Sequence, residues 1–261
     1  VGVQVGARVH VFDTMGTTVS IRFADDRPDP DVLGRVETTF ASFDARFSLY
    51  REDSEISRIA RGELSLPASS SSMRDTYAEA LDWRRLTGDS FTPHRPDGVI
   101  DLSGLVKAKA VDAAAAVLEQ AGEADWLMNA GGDILSRGDD RGEAWRAGIV
   151  DPLDRAALLA DVALGVGRRA LATSGTAERG EHIWRQRRPP GAQGSCAYRQ
   201  VSVVARDIVT ADVLATSILA GGPQQLDDAL DRFDVEVLAV DESGELMASA
   251  GLRRAWGTST P

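Results

Sequence analysis

Hydrophobic patterning predicts an α+β fold, and three observations carry that reading. Apolar residues recur at spacings of three and four from Asp31 to Phe47, the period of a helix packed along one face. Short apolar or alternating runs, such as Val19–Phe23 and Trp126–Ala130, are bounded by turn residues and read as strands. Neither repeats nor low-complexity linkers interrupt the 261 residues, so the chain reads as one folding unit long enough to bury a sizeable core.

Composition narrows the partners. Hydrophobic content of 43% and charged content of 26% are those of a soluble globular protein. A net charge of −11 argues against a nucleic-acid partner, which needs a basic face. An acidic chain that binds phosphates must concentrate positive charge locally, through a few Lys or Arg side chains or a metal. The single cysteine, Cys196, rules out an intramolecular disulfide and fits a reducing compartment. No apolar run approaches the roughly 20 residues of a membrane span.

In chain order, Val9–Phe12 and Val19–Phe23 read as strands flanking the turn Thr14-Met15-Gly16-Thr17-Thr18, a hairpin with a core methionine on composition alone. The helix from Asp31 to Phe47 carries Val32, Val36, Phe40, Phe43 and Phe47 on one stripe. Asp53 and Ser54 suit the cap of a short helix bearing Ile56 and Ile59. After a Leu66-Pro67 and serine-rich loop, Met73 to Leu86 forms a further helix that Gly88 stops.

The central stretch is Asp101 to Gln120, DLSGLVKAKAVDAAAAVLEQ. Asp101 and Ser103 can accept the unpaired N–H groups of a first helical turn. Val106, Ala110, Ala113 and Val117 give the helix a small-residue face. Gly104 permits close approach of a ligand near a helix start that favours anions. Lys107 and Lys109 lie at the end where cations are least favoured, and a held anion would explain them. The alternative is a capped surface helix with solvated lysines.

Trp126–Ala130 and Ile134-Leu135 surround Asn129-Ala130-Gly131-Gly132-Asp133, a turn suited to positive φ. It is not a dinucleotide loop of the G-x-G-x-x-G type. Strands follow at Trp145–Val150, Leu158–Leu164 and Arg169–Thr173, leading into ALATSGTAERGEHIW. This run holds His182, one of three histidines, which on its own reads as readily structural as catalytic. A strand at Gln200–Ala205 precedes a helix opening near Thr210. There Asp212 and Thr216 lie four residues apart, one above the other on one helical face. A carboxylate and a hydroxyl so placed suit a hard divalent cation; the structural alternative is Thr210 as cap with Asp212 favoured by the dipole. Gln224–Phe233 is helical, Val235–Val240 a strand, Leu246–Ser249 the close of a hairpin, and the tail from Arg253 loose.

DLSGLVKAKAVD resembles the D-x-x-G-I/L-x-K-G-x-A-V-D/E signature of the FAD:protein FMN transferase family (the ApbE family), with Ala108 in place of the usual glycine. MGTT at Met15, FSLYREDSEIS from Phe47, GDSFTP from Gly88, NAGGD, ATSG…HI and ADVLAT from Ala211 resemble further motifs in family order. The resemblance covers roughly Met15 to Val240, as a divergent member. It implies a single ApbE-like, T-fold-related α+β domain with mixed or antiparallel sheets and packed helices. It implies FAD as substrate, Mg²⁺ as cofactor, and an acceptor flavoprotein that receives FMN on a Ser or Thr hydroxyl while AMP leaves. Carried over by motif, Met15, Tyr50, Ser90, Phe91, Thr92, Asp101, Lys107 and Ile183 touch FAD. Gly104 (through its carbonyl), Asp212 and Thr216 hold the metal, and His182 accepts the hydroxyl proton or positions phosphate.

The chain departs from the pattern in three further places: Thr92 stands where aspartate is usual, and Arg185 and Gln186 replace an Asp-Pro that follows the histidine. These changes favour one alternative to transfer, an FAD-binding protein without turnover; water in place of the protein hydroxyl gives another, an FAD pyrophosphatase yielding FMN and AMP, and an unrelated nucleotide-binding α+β module is a third. Many relatives are exported lipoproteins, whereas the first residues here form neither a signal peptide nor a lipid-acceptor site. The chain reads as cytoplasmic as it stands, or as exported if a leader precedes Val1.

Overall fold

The first hairpin sets the geometry of one end of the molecule. In the computed structural model, which describes residues 8–175 and 198–257, β1 (Val9–Thr14) and β2 (Thr17–Phe23) pair antiparallel and close on Thr14 opposite Thr17. The turn residues Met15 and Gly16 both have positive φ, 50° and 71°. A two-residue hairpin turn requires this; glycine takes it freely and methionine rarely does.

β2 alternates buried Val19, Ile21 and Phe23 with more exposed neighbours, and so packs one face against helices. An eight-stranded sheet grows from it in the order β1-β2-β3-β4-β7-β8-β9-β10, with every neighbouring pair antiparallel. Its other strands are β3 (Trp126–Ala130), β4 (Asp133–Arg137), β7 (Ala170–Gly175), β8 (Tyr198–Ala205), β9 (Glu236–Asp241) and β10 (Leu246–Ala248). A separate ribbon of β5 (Trp145–Val150) and β6 (Leu158–Leu164) lies over the second face.

Helices cover the first face. α1 (Pro30–Phe47) starts with Asp29 accepting the Asp31 N–H at 2.9 Å and Pro30 in the first turn, where its missing donor costs nothing. α2 (Glu55–Ala60) is capped by Ser54, whose Oγ accepts from Ser57 N–H at 3.1 Å. α3 (Ser71–Leu86) is capped by Ser70, and the Glu55 carboxylate accepts the Ser70 hydroxyl at 2.7 Å. α4 (Ser103–Gln120) and α5 (Ile208–Gly221) then bring Ala108, Val111, Ala115, Ala211, Leu214 and Ala215 into one core with Trp126, Met128 and Val201 of the sheet. The opposite face buries Ile134, Leu171, Val204 and Leu238 against Trp145, Ile149 and Val162 of the ribbon.

The two central helices run in opposite directions. Glu119, in the last turn of α4, pairs with Arg137 at the end of β4 and lies 3.6 Å from Arg169, just before β7. α4 therefore begins at the other end of the sheet. That is where the turns Met15-Gly16 and Gly131-Gly132, the start of β4 and the end of β7 all lie. α5 follows β8 after only Arg206 and Asp207, so it travels back toward the same end.

Three expectations change. Residues 253–257 of the tail are helical: α6 (Pro223–Arg232), β9 and β10 are followed by α7 (Ala250–Gly257), which buries Leu252 in the second-face core. α5 opens at Ile208, not Thr210; the Asp207 carboxylate caps it, taking both the N–H and the hydroxyl of Thr210 at 2.8 and 2.9 Å. The buried face of α4 is wider than the Val106, Ala110, Ala113, Val117 stripe. Val111, Ala114, Ala115 and Leu118 are buried while Ala113 and Val117 are only partly so, because neighbouring helices and the sheet cover α4 from several sides.

Docking of α7 is testable. Leu252→Ala removes most of a buried side chain and should cost about 2–3 kcal/mol in urea unfolding; an unchanged midpoint would show that α7 adds no packing.

Candidate functional site

The first turn of α4 is fixed from three directions. Asp101 accepts the Ser103 N–H at 2.9 Å and donates its own N–H to the Pro93 carbonyl at 2.9 Å. Leu102, fully buried, pins the entry to the core. Phe91 lies so close to Gly104 that a Cβ there would sit 3.1 Å from the ring. The close approach that Gly104 allows is therefore to Phe91, itself buried among Met73, Leu102, Leu105 and Val106. Ala108, where the family has glycine, buries its methyl in the helix–sheet core.

Lys107 projects from this turn to the carboxylate of Asp133, with Nζ–Oδ2 at 2.5 Å. The carboxylate is fully buried and the lysine side chain 12% exposed. Asp133 reaches this position because β4 alternates: Ile134 faces the ribbon, so Asp133 and Leu135 face the helices. The preceding turn is held by Asn129, whose Oδ1 accepts the Gly132 N–H at 2.9 Å. At Gly131, φ is +60° and any Cβ would collide with the Thr17 hydroxyl, so the two hairpin turns touch. Lys109 pairs with Glu79. The anions that explain both lysines in the ligand-free protein are thus side chains of the chain itself.

The second half of the site comes from α5. Asp212 is fully buried, and one turn on Thr216 Oγ1 lies 3.0 Å from Ser174 Oγ near the end of β7. β7 faces the helices through Ala170, Ala172 and, in the same phase, Ser174. Because β4 and β7 are neighbours in the sheet, Asp133 and Ser174 lie on one face at one end. Val209 and Val213 of α5 pack with Leu105 and Val106 of α4, which joins the two helices beside Asp212. Lys107, Asp133, Asp212, Thr216, Ser174 and the Met15 turn accordingly share one end of the helix–sheet interface. Met15 packs against both the main core and the cluster around Phe91.

The residues expected from sequence to hold a metal, Asp212, Thr216 and the Gly104 carbonyl, would offer it only oxygen. Among the described residues, no group of three or more His, Cys, Asp or Glu side chains could hold a metal. One carboxylate, one hydroxyl and one carbonyl fit Mg²⁺, which keeps several waters and takes phosphate oxygens, better than a metal that wants a protein cage.

The remaining expected residues are spread more widely. Tyr50 is 84% exposed in the turn after α1. Ser90 packs beside Gly221 at the end of α5, where an added Cβ would meet its Oγ at 2.7 Å. Thr92 accepts the His94 N–H at 3.3 Å, and so supplies the kind of turn bond that an aspartate would make. His182 and Ile183, with Arg185 and Gln186, lie outside the described residues. Two site residues went unassigned from sequence, Asp133 and Ser174. Their signal was present: a charged or polar residue on the core-facing phase of a short apolar strand needs a buried partner. His94, which bonds Tyr77 Oη through Nε2 at 2.9 Å, was also passed over. Burial first, and then the Arg84 charge, hold its imidazole below the usual range.

A model of the ApbE family matches residues 15–96 and 94–239. The FAD:protein FMN transferase of Rhodobacter capsulatus is 28% identical over 231 residues, 86% of this chain and 41% of that protein; the chain thus spans less than half of that relative. The flavin transferase ApbE from Vibrio cholerae superposes with a TM-score of 0.73 at 23% identity, covering 94% of this chain and 98% of that one. The apo form of Pseudomonas stutzeri flavinyl transferase ApbE gives 0.75 at 20% identity, covering 97% of each chain. At these identities the likeness to the solved structures is one of fold.

The buried pair makes a stability prediction that needs no ligand. Lys107→Met removes the buried cation paired with the Asp133 carboxylate and should cost about 3–5 kcal/mol, whereas Lys107→Met with Asp133→Leu should recover most of it. Chemical denaturation of both variants decides; equal losses would mean that the pair is not coupled.

Proposed function

The chain belongs to the ApbE family, and on that footing we propose that it transfers FMN from FAD to a Ser or Thr hydroxyl of an acceptor flavoprotein, with Mg²⁺, releasing AMP. The observation that carries this reading is the meeting of the Lys107 end of α4 with the Asp212–Thr216 face of α5 at one end of the sheet. A dinucleotide's pyrophosphate needs a cationic grip of that kind in a chain of net charge −11.

The work divides among the chain's own groups. Lys107 takes a pyrophosphate oxygen, and the N–H groups of the first turn of α4 add the positive end of a helix dipole. Asp101 holds that turn in place and, with Met15, Ser90 and Thr92, lines the dinucleotide. Tyr50 and, by its motif, Ile183 touch the dinucleotide, and Phe91 supports the wall from the core. Asp212, Thr216 and the Gly104 carbonyl hold Mg²⁺, which supplies charge neutralisation to oxygens that become more negative as the pyrophosphate opens. The acceptor oxygen bonds to the FMN phosphorus, the bond to the AMP phosphate oxygen breaks, and AMP leaves with that electron pair. The hydroxyl proton passes to His182. Water in place of the hydroxyl gives FMN and AMP, the hydrolytic side reaction.

The test is incubation with FAD, Mg²⁺ and a candidate acceptor, followed by mass analysis of the acceptor and assay of AMP. The acceptor should gain one FMN phosphate unit with AMP formed in step. Asp212→Ala should cut AMP release by roughly 10²-fold or more with the fold intact by circular dichroism. Wild-type protein that retains FAD and forms no AMP would be a flavin binder, and transfer would be wrong. Asp212→Ala working at the wild-type rate would overturn the metal assignment.

A further inference from the structure

The Ser174–Thr216 contact has a chemical requirement behind it. A hydroxyl carries one proton and two lone pairs. To ligate a cation, Thr216 must turn a lone pair toward the metal and send its proton elsewhere. Helical threonines commonly return that proton to the carbonyl four residues back. Thr38, Thr39 and Thr87 do so in this protein, to Gly34, Arg35 and Trp83 at 2.8, 2.9 and 2.8 Å. Such a bond fixes the hydroxyl against its own helix. Thr216 also has a partner across the helix–sheet interface: its Oγ1 lies 3.0 Å from Ser174 Oγ, on a side chain only 3% exposed, a pair in which either hydroxyl can donate.

We propose that Ser174 is a positioning residue for the cation-binding hydroxyl of Thr216: it accepts the Thr216 proton and leaves the oxygen's lone pairs directed at the metal beside Asp212. The sheet makes this possible. Ser174 falls on the helix-facing phase of β7, after Ala170 and Ala172, and is the polar member of that face at the site end. Outer partners of this kind hold metal-binding groups in register and tune affinity. The inference rests on the reading of Asp212 and Thr216 as the Mg²⁺ pair.

Mn²⁺ binding followed by the EPR signal of the free ion, with and without FAD, tests it without relying on turnover. Wild type should bind Mn²⁺, and Ser174→Ala should raise the dissociation constant about tenfold. In a Thr216→Val background, already weakened, Ser174→Ala should change nothing further, because its effect acts through that hydroxyl. Ser174→Ala within twofold of wild type, or an undiminished effect in the Thr216→Val background, overturns the role of Ser174 while the metal site stands. Wild type that takes up no Mn²⁺, or Asp212→Ala that binds it as well as wild type, overturns the metal reading itself and this inference with it. Thermal unfolding of each variant separates lost affinity from lost fold.

Discussion

A buried ion pair ties the helix layer to the sheet at the end where the candidate site lies. Lys107 and Asp133 meet at 2.5 Å, with the carboxylate out of reach of solvent. Removing either partner alone would leave a charge uncompensated in a low-dielectric setting, so the pair constrains both elements more than its net stabilisation implies. It fixes the first turn of α4 against the start of β4. The antiparallel α4–α5 packing then places Asp212 and Thr216 at the same end.

This arrangement reconciles two facts that pull against each other. The protein is strongly acidic, yet its proposed substrate carries a pyrophosphate. Positive potential must therefore be local: one lysine, one helix N-terminus and an all-oxygen site that suits a hard cation. The lysine is paired with Asp133, so it would offer the substrate an oriented donor and little net charge. Under the proposed function, a cation held by Asp212 and Thr216 would be the main source of added positive charge for the dinucleotide.

Much of this was legible in the sequence, because periodicity and caps are local. The stripe from Val32 to Phe47, the Ser54 cap and the Met15-Gly16 turn followed from spacing and turn chemistry. What failed was what depends on distant neighbours. The motif that marks Phe91 as a flavin contact does not say that its ring also fills the space that Gly104 leaves open. The face of α4 was drawn too narrow, since a stripe of alanines does not say how many sides are covered. The last helix is hard to read from sequence because Leu252 is its buried apolar anchor among the described side chains, next to residues that read as a polar tail. The motifs that contain Asp133 and Ser174 give them no role; strand alternation and sheet order set them opposite Lys107 and Thr216.

The central claim is that the two helices grip one pyrophosphate between them. A crystal structure of the protein with FAD and Mg²⁺ tests it most directly. Pyrophosphate oxygens should lie about 3 Å from Lys107 Nζ, with the metal bound to Asp212 and Thr216 and to the same phosphates. Dinucleotide bound away from the first turn of α4, or metal bound without contact to Thr216, would contradict the account.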